Sequence, residues 1–507
     1  MILTKYGSMG VWEYGSDLII NNHQLSTVNL QPKKDFDAIV VGSGPNGLAA
    51  GIAMQQAGLS VLILEAKSMA GGGLRTEEIT IPGFRHDLCS AVHPLAASSP
   101  FFNTLPLSDF GLKFLYPEIP LAHPFDDGSA IQLLPSVRET AKGMGADADA
   151  YLKLMMPLVK SWPDLQDDVL GPLHFPKHPM EMVRFGWSAL SAASQLSKRF
   201  QTEKTKGFWG GLAVHSQLPF NYLASSGIGL VLLTVGHIRG WPVAEGGSQS
   251  IADALISYFK SIGGKIETNQ TVNSLDQLPS SRVVLLDVGP LQLLKIAGNH
   301  LSSYYRWQLK KFHYGMGVFK IDWALADPIP FKAESARKAV TIHLGSSFQE
   351  MAASEKSAWF GKASEKPAVI LAQQSIIDPR RAPEGKQTGW AYCHVPSGST
   401  TDMTEAIEKQ VERFAPGFRE RILARHTMNT KEMEELNSNY IGGDIGGGAN
   451  ILSQLFTRPA LRSAPYRSSV RGIYLCSAST PPGGGVHGMC GYHAAKRALR
   501  DEFRIII

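Results

Sequence analysis

Cysteine is scarce in this chain, with four residues among 507, namely Cys89, Cys393, Cys476 and Cys490. They lie far apart, and no two of them form a C-x-x-C pair. This distribution argues against a structural zinc site and against a thiol–disulfide redox centre, and it favours a reducing compartment. We therefore expect small buried cysteine side chains, no bound metal and a cytoplasmic location.

An excess of one charge is also missing. The 49 lysines and arginines nearly balance the 44 acidic residues, which leaves a formal net charge of +5. The basic residues are scattered, and the sequence has no lysine- or arginine-rich block of the kind that marks a nucleic-acid-binding surface. Nucleic acid is therefore not an expected partner.

Long uninterrupted apolar runs are absent as well. Residues 207–238 carry no acidic residue, lysine or arginine, but Pro219, Asn221 and several glycines interrupt them. The longest clean apolar run is far below the ~20 residues that a membrane span needs. We expect a buried helix beside an apolar cavity, and peripheral contact with a membrane stays open. Residues 1–34 lack the apolar core of a signal peptide and predict an N-terminal arm.

A glycine-rich strand–turn–helix unit is the most informative feature that the chain does contain. The run Ile39–Val41 is typical of a buried parallel strand. Gly42, Gly44 and Gly47 follow it with the spacing G-x-G-x-x-G. The first glycine allows a tight turn, the second lets the backbone approach a pyrophosphate, and the third lets the helix pack on the strand. The helix N-terminus near Asn46 would then hold the phosphates.

An acidic residue stands at the distance that such a unit requires. The strand Ser60–Glu65 ends on Glu65, 18 residues after Gly47, close to the spacing of a carboxylate that accepts from a ribose hydroxyl. A carboxylate there disfavours a 2′-phosphate, so we expect an unphosphorylated adenosine. Because glycine accounts for 50 of the 507 residues, the hexad alone is weak evidence. Strand, helix and acid together predict a dinucleotide site.

The length of the chain predicts at least two domains, since single cores stop growing near ~250–300 residues. A helix over 250–262 and strands over 265–269 and 283–287 indicate a return to the nucleotide-binding domain after a long excursion. Alternating segments within 310–400 predict a largely antiparallel sheet in a mixed α+β second domain. The predicted division is an arm at 1–34, nucleotide-binding segments at 35–100, 241–300 and 441–507, a helix-rich segment at 101–240 and a sheet segment at 301–440.

Two further glycine-rich blocks lie outside the first motif. Gly71–Thr76 follows Glu65, and the alternating residues 79–87 after it predict a short strand. Residues 472–496 have the pattern of a strand, a glycine-rich loop and a helix. So many glycines before a helix N-terminus indicate a backbone that approaches a flat or phosphorylated ligand.

Together these blocks resemble the FAD-dependent oxidoreductases of the phytoene desaturase and carotenoid isomerase type. Within that type they look most like the pyridine nucleotide-disulfide oxidoreductase domain-containing protein 2 group. The resemblance spans about residues 35–505, and its most specific part is the pattern T-x-P-G-x-G-V-x-G over Thr480–Gly488. It implies an α/β fold in which a Rossmann-like FAD-binding domain of the GR2 type is interrupted by the substrate domain.

The resemblance also assigns residues to the cofactor FAD. The first glycine turn would hold the pyrophosphate and Glu65 the adenosine ribose. Val272, expected on a strand after Asn269, would meet the adenine, and the tail loop would close over the isoalloxazine and ribityl chain. The expected cofactor contacts are Gly42, Ser43, Gly44, Pro45, Asn46, Gly47, Glu65, Ala66, Gly72, Gly73, Leu74, Arg75, Val272, Asp444, Ser479, Gly484, Gly485, Gly488 and Met489.

Three departures from the family pattern bear on the chemistry. Gly73 stands where relatives usually carry arginine, and Arg75 is the candidate to supply that charge. The run Cys476–Ser479 replaces the more usual glycines before Thr480. His487 stands where the carotenoid enzymes commonly carry proline, which argues against a carotenoid as the substrate.

Two histidines are the candidates for catalysis. The resemblance places His487 near the isoalloxazine, where its near-neutral pKa would allow proton shuttling; the alternative is that it ties down its loop. His93 lies in an uncharged stretch and is otherwise a core histidine bonded to backbone. Asp444 would either accept from a ribityl hydroxyl or cap its own turn. Asp287 and Lys320 are expected to be structural.

The resemblance implies hydride transfer between the flavin and a lipophilic substrate resembling a carotenoid, retinoid or isoprenoid, by desaturation, saturation or isomerisation of carbon–carbon bonds. A flavin amine oxidase and a non-catalytic FAD-binding regulatory protein remain alternatives. The electron acceptor is left open. No second complete G-x-G-x-x-G follows a strand in the middle of the chain, so we expect no dedicated NAD(P) domain.

Overall fold

The computed structural model describes residues 34–507, and the predicted N-terminal arm lies almost entirely outside these described residues. The strands in chain order are β1 (Phe36–Val41), β2 (Val61–Leu64), β3 (Thr76–Glu77), β4 (His86–Asp87), β5 (Phe114–Leu115), β6 (Ile119–Pro124), β7 (Ala130–Leu133), β8 (Val243–Ala244), β9 (Lys265–Glu267), β10 (Ser281–Leu286), β11 (Gly317–Leu325), β12 (Ala339–Leu344), β13 (Val369–Ala372), β14 (Gln387–Val395), β15 (Ile422–Met428) and β16 (Ile473–Leu475).

The α-helices of the same described residues are α1 (Pro45–Gln56), α2 (Pro94–Ala97), α3 (Val137–Lys142), α4 (Ala148–Val169), α5 (Pro179–Ala189), α6 (Ala193–Leu196), α7 (Glu203–Ala213), α8 (Gly227–Arg239), α9 (Gln249–Ser261), α10 (Pro290–Ala297), α11 (Ser303–Lys310), α12 (Glu334–Lys338), α13 (Phe348–Trp359), α14 (Thr404–Phe414), α15 (Thr430–Leu436), α16 (Leu452–Leu455) and α17 (Met489–Ala498).

A five-stranded parallel sheet carries the glycine motif. Its strand order is β16-β10-β1-β2-β9, and each neighbouring pair is parallel. Strands β1, β2, β10 and β16 are mainly apolar, as expected where helices cover both faces of a sheet, whereas the edge strand β9 exposes Lys265 and Glu267. The sheet unites strands from all three predicted nucleotide-binding segments, although the segment boundaries themselves stay a prediction.

The order of the strands fixes where a ligand binds. From β1 the chain proceeds to β2 on one side, whereas β10 lies on the other side of β1. Ligands of open α/β sheets bind outside the carboxyl ends of the strands at such a switch point. Here Gly42 follows β1 and Asp287 follows β10, so these two residues flank the crevice.

Helices α1 and α17 bring the two ends of the described chain together at this crevice. A Cβ at Gly491 would stand 1.8 Å from the carbonyl oxygen of Asn46, so glycine is needed where α17 crosses the first turn of α1. A Cβ at Gly488 would meet the Phe102 ring at 2.4 Å and Ala49 at 2.9 Å. The glycine-rich tail loop is thereby held against the start of α1.

A second sheet has seven strands in the order β15-β11-β14-β13-β12-β6-β7. Its pairs are antiparallel except for β6 with β12, which is parallel. One face is apolar and packs on α14 through residues such as Ile407 and Val411. The opposite face carries polar and aromatic side chains, among them Lys320 on β11 and Tyr392 on β14, two residues paired across neighbouring strands.

Two local predictions differ from the structure. Strands β6 and β7 come from the segment predicted to be helix-rich, and they extend the sheet because β6 finds a parallel partner in β12. Residues 79–87 do not form one strand; they are the loop and second strand of a short hairpin in which Thr76 pairs with Asp87. Positive φ at Gly83, 86°, turns the chain there.

The uncharged segment 207–238 spans most of helices α7 and α8, and α8 is the buried helix that the sequence predicts. Helix α8 packs with α7, and Leu230 and Leu233 are almost fully buried. Within residues 34–507, no helix has both the length and the hydropathy required to cross a membrane.

Candidate active site

One cavity of about 710 Å³ lies outside the carboxyl ends of the parallel strands, within the usual size range of small-molecule sites. Gly42 and Pro45 line it at the first glycine turn, and Gly484 and Gly485 line it at the tail loop. The two glycine-rich ends of the sequence therefore share a single cavity, as the dinucleotide prediction requires.

The first glycine turn is shaped for close backbone approach. Gly42 has φ of 99°, and a Cβ at Gly72 would stand 2.7 Å from the Cα of Gly44. A Cβ at Gly47 would stand 2.1 Å from the carbonyl oxygen of Gly42. Gly47 itself does not line the cavity, since it serves the contact of helix α1 with the strand end.

The start of α1 also leaves polar groups for a ligand. Its N-cap residue, Gly44, offers no side chain to cap the first turn. The amide oxygen Oδ1 of Asn46 is buried and has no hydrogen-bond partner within residues 34–507. The N-terminus of a helix favours a negatively charged group, whereas Asn46 Oδ1 is an acceptor and suits a ligand donor such as a hydroxyl group.

Asp287 closes the crevice from the side of β10. Its Oδ2 accepts a hydrogen bond from the backbone N–H of Gly47 at 3.0 Å. Burial, and secondarily the nearby charge of Glu65, raises the pKa of Asp287 to about 7, although the Gly47 N–H acts in the opposite direction. The sequence predicted a structural residue, whereas the structure places this carboxyl in the cavity wall.

Glu65 lies at the end of β2, almost fully buried at 7% exposure. Its Oε2 accepts from the backbone N–H and the hydroxyl of Ser43, and its Oε1 accepts from Lys67 N at 2.9 Å. The carboxylate is thus fixed by donors from both sides while it lines the cavity. It keeps acceptor capacity for a ribose hydroxyl.

The substitution Glu65→Gln tests this assignment. The amide nitrogen of glutamine is a donor, so it cannot replace both carboxylate oxygens as an acceptor. We expect the affinity for FAD to fall about tenfold, as measured by titration of the deflavinated protein. The control is Glu267→Gln on the neighbouring strand β9, where the side chain is exposed. An unchanged affinity in Glu65→Gln contradicts the ribose role.

At the other end of the cavity two glycine-rich loops press together. A Cβ at Gly484 would stand 2.6 Å from the carbonyl oxygen of Gly446, and a Cβ at Gly447 would stand 2.8 Å from the Cβ of Ala478 and 3.2 Å from its carbonyl oxygen. Both loops line the cavity. The resulting wall is made of backbone, which suits contact with a flat ring.

Most of the predicted cofactor contacts line the cavity. Those that do are Gly42, Ser43, Gly44, Pro45, Asn46, Glu65, Ala66, Gly72, Gly73, Leu74, Arg75, Val272, Ser479, Gly484 and Gly485. Gly47, Asp444, Gly488 and Met489 lie outside the lining. Gly47 and Gly488 are explained by the helix packing described above, and Met489 is the first residue of α17.

Two of the predicted contacts, Val272 and Asp444, lie in positions other than those first assigned to them. Val272 lies in a loop, because strand β9 ends at Glu267 and the chain turns at Asn269, where φ is 57°. Asp444 is fully buried and accepts from the N–H groups of Gly315, Gly446 and Gly448. It therefore organises its own turn, the alternative that the sequence left open, and does not face the cavity.

The two candidate catalytic histidines differ in their position relative to the cavity. His487 is buried outside the cavity lining, and its Nδ1 accepts from Met489 N at 3.0 Å. Burial lowers its pKa to about 4. His487 thus anchors the loop before α17, the alternative weighed from the sequence. His93 does line the cavity, with Nε2 at 3.2 Å from the hydroxyl of Ser90 and a pKa lowered by burial to about 4.

The far wall of the cavity contains residues that sequence reasoning did not assign. Lys320, expected to be structural, lines the cavity and pairs with buried Asp322. Burial raises the pKa of Asp322 to about 6 against the opposing effect of Lys320. His215 and Trp241 line the same region. No local motif marks these positions, since they meet through the tertiary fold.

Several known proteins are similar in sequence to this chain. A family profile described as an NAD(P)-binding Rossmann-like domain matches residues 40–105. The mouse protein called pyridine nucleotide-disulfide oxidoreductase domain-containing protein 2 is 27% identical over 94% of this chain and 95% of its own length. A neurosporene-forming phytoene desaturase from Rhodobacter capsulatus is 24% identical over 90% of this chain and 92% of its own.

The chain is similar to phytoene desaturases along nearly its whole length. Solved structures agree with the fold. An oxidoreductase from Methanosarcina mazei has a TM-score of 0.63 at 15% identity, covering 91% of this chain and 99% of that one. Putrescine oxidase bound to putrescine has a TM-score of 0.58 at 17% identity, covering 93% and 99%. At sequence identities this low, the similarity indicates a shared fold and nothing more.

The similarity to the phytoene desaturases implies FAD, and the residues of this chain fit it. The cradle between Gly44 and Gly72 leaves no room for side chains. The buried Asn46 Oδ1 lacks a partner among the described residues, and Glu65 offers an acceptor where a 2′-phosphate would be repelled. The backbone cradle and these two acceptors therefore suit an unphosphorylated dinucleotide, whose ribose hydroxyls can donate to them.

Proposed function

We propose that this protein is an FAD-dependent oxidoreductase acting on a carbon–carbon bond of a mainly apolar substrate, by desaturation, saturation or isomerisation. The continuity of the cavity carries the proposal. The same cavity that begins at the glycine cradle extends past the tail loop to Ile228 and Leu232 of α8 and Ile370 of β13. Cofactor and substrate would thus share one cavity.

Bound FAD supplies a reversible acceptor of two electrons. The chain's own residues supply binding, orientation and exclusion of water. Helix α8 and the inner face of β13 form apolar walls that hold a hydrocarbon body by burial. The buried histidine His93 stays neutral at physiological pH, because its pKa lies near 4, so it adds no charge to this wall.

An amine oxidase is the second candidate. Trp390 and Tyr392 form an edge-to-face aromatic pair in the cavity wall, with ring centroids 5.2 Å apart. Aromatic faces attract cationic ligands, and the fold is shared with a putrescine oxidase. The desaturase-like candidate is preferred because the curated relatives with nearly full coverage include phytoene desaturases.

The purified protein tests both candidates. We expect a yellow protein with close to one flavin per chain and, after extraction and mass spectrometry, a copurifying apolar molecule. Peroxide release with primary amines in air would support the amine oxidase instead. A colourless protein that ignores added FAD contradicts the whole proposal, and a photoreduced flavin that no acceptor reoxidises points to a non-catalytic role. A cytoplasmic location and peripheral membrane contact stay predictions.

A further inference from the structure

His215 is a cavity residue held rigidly by its neighbours. It lies in the short 3₁₀ turn Val214–Ser216 that follows α7, and its half-buried ring lines the cavity. Its Nε2 lies 2.9 Å from Nε2 of His343 on β12. The Trp241 ring packs edge-on against it with centroids 5.9 Å apart. The ring orientation is therefore fixed before any ligand binds.

The turn that carries His215 abuts the loops assigned to the flavin end. Asn450 Nδ2 donates to the carbonyl oxygen of Ser216 at 3.2 Å. A Cβ at Gly446 would stand 3.0 Å from Oε1 of Gln217, and Gly446 in turn touches Gly484. Only the 446–450 loop separates the His215 turn from the tail glycines.

The surroundings of His343 indicate which ring nitrogens of His343 and His215 carry a proton. His343 is buried, and its Nδ1 has no partner within residues 34–507; it faces Gly211, where a Cβ would stand 2.6 Å away. Buried N–H groups without a partner are rarer than buried acceptors without one. The His343 proton is therefore assigned to Nε2, which donates to His215 Nε2, so His215 carries its own proton on Nδ1.

This Nδ1–H is available to a ligand. It has no hydrogen-bond partner among the described residues, whose side-chain bonds include only the Nε2 contact of His215. Burial, and then the charge of His394, lowers the pKa of His215 to about 3, so the ring is neutral and has no need of an anionic partner. His93, the other histidine of the cavity, has its free Nδ1 sealed from solvent.

We propose that the substrate carries a neutral acceptor oxygen, a carbonyl or a hydroxyl, that accepts a hydrogen bond from His215 Nδ1–H. The substrate is then amphipathic, with an apolar body along α8 and one oxygen near the tail loop. His343 is a positioning residue that fixes the tautomer of His215. This inference rests on the proposed function for the use of the cavity as a substrate site.

Two probes, 2-octanone and octane, test this inference because they differ in one acceptor oxygen. Each is titrated into the flavin-loaded protein, with the flavin absorption spectrum and the heat of binding as independent readouts. For His215→Phe we expect the dissociation constant of 2-octanone to rise about tenfold and that of octane to change less than about twofold. His215→Asn, which keeps a donor, should recover part of the loss.

The matched control is His300→Phe, since His300 is half-exposed on the surface and should change neither constant. Octane binding also reports whether a variant keeps an intact cavity. Failure of wild-type protein to bind 2-octanone, no loss in His215→Phe, or equal losses for both probes each overturn the inference. Absence of flavin overturns the proposed function instead. In that case the heat of 2-octanone binding, compared between wild type and His215→Phe, still tests the His215 contact.

Discussion

Gly47→Ala yields a protein that has lost most of its flavin. The added Cβ would stand 2.1 Å from the carbonyl oxygen of Gly42 and 3.0 Å from its carbon. Both are backbone atoms, so no side chain can move aside, and the turn between β1 and α1 must open. Overpacking of this kind costs about 1–3 kcal/mol, which corresponds to a loss of roughly 10- to 100-fold in affinity for FAD.

Flavin absorbance per protein measures this effect, with circular dichroism to verify that the fold is retained. The matched control is Gly186→Ala on α5, where a Cβ would meet nothing within 4 Å. Because alanine favours a helix over glycine, the control should keep its flavin and gain slightly in stability. Full flavin content in Gly47→Ala would contradict the role of this turn.

Asp287→Asn removes a pH dependence of FAD binding. The carboxyl of Asp287 lines the cavity beside Gly47, with a pKa raised by burial to about 7. A diphosphate at the start of α1 favours the protonated form, because two negative charges would otherwise meet in a buried site. Binding then takes up a proton, and affinity falls as the pH rises above the pKa.

For the wild-type protein we expect the dissociation constant of FAD to rise roughly 10- to 100-fold between pH 7 and pH 9. Asparagine keeps an acceptor for Gly47 N–H and cannot ionise, so Asp287→Asn should bind FAD with little pH dependence over this range. Asp276→Asn, at an exposed position, is the control and should retain the wild-type slope. A flat wild-type profile contradicts proton-linked binding.

The same carboxyl affects stability with a definite sign. Its pKa in the folded protein lies above the value of 3.8 for a free aspartate, so the folded state holds this proton more tightly than the unfolded chain does. Its contribution therefore becomes unfavourable as the pH rises from 3.8 towards 7. Thermal unfolding of Asp287→Asn should accordingly gain most over wild type above neutral pH.

The sequence predicted the dinucleotide half of the site because local rules determine it. A strand, a glycine turn and a helix are consecutive in the chain, and Gly42 to Asn46 need no distant residue to be recognised. Glu65 follows from a fixed spacing on the next strand. The same holds for Ser479, Gly484 and Gly485, where glycines precede a helix. These residues line the cavity as expected.

The substrate half could not be predicted in the same way. His215 and His343 are separated by 128 positions, and only the packing of α7 on the sheet brings their rings together. Lys320 lies on β11 and Asp287 directly follows β10, and the apolar patterns of these strands indicate burial and nothing more. His487 attracted attention because it departs from a family pattern, yet a loop histidine can serve its own backbone, as its bond to Met489 N shows.

The strands of the parallel sheet come from separate segments of the chain, which has a consequence for biosynthesis. Strand β16 and the loop over 477–485 are made long after β1, yet they supply an edge of the sheet and one wall of the cavity. A nascent chain that has not yet reached them exposes β10 as an unpaired edge, a surface prone to aggregation. We therefore expect cofactor loading to follow translation of this segment.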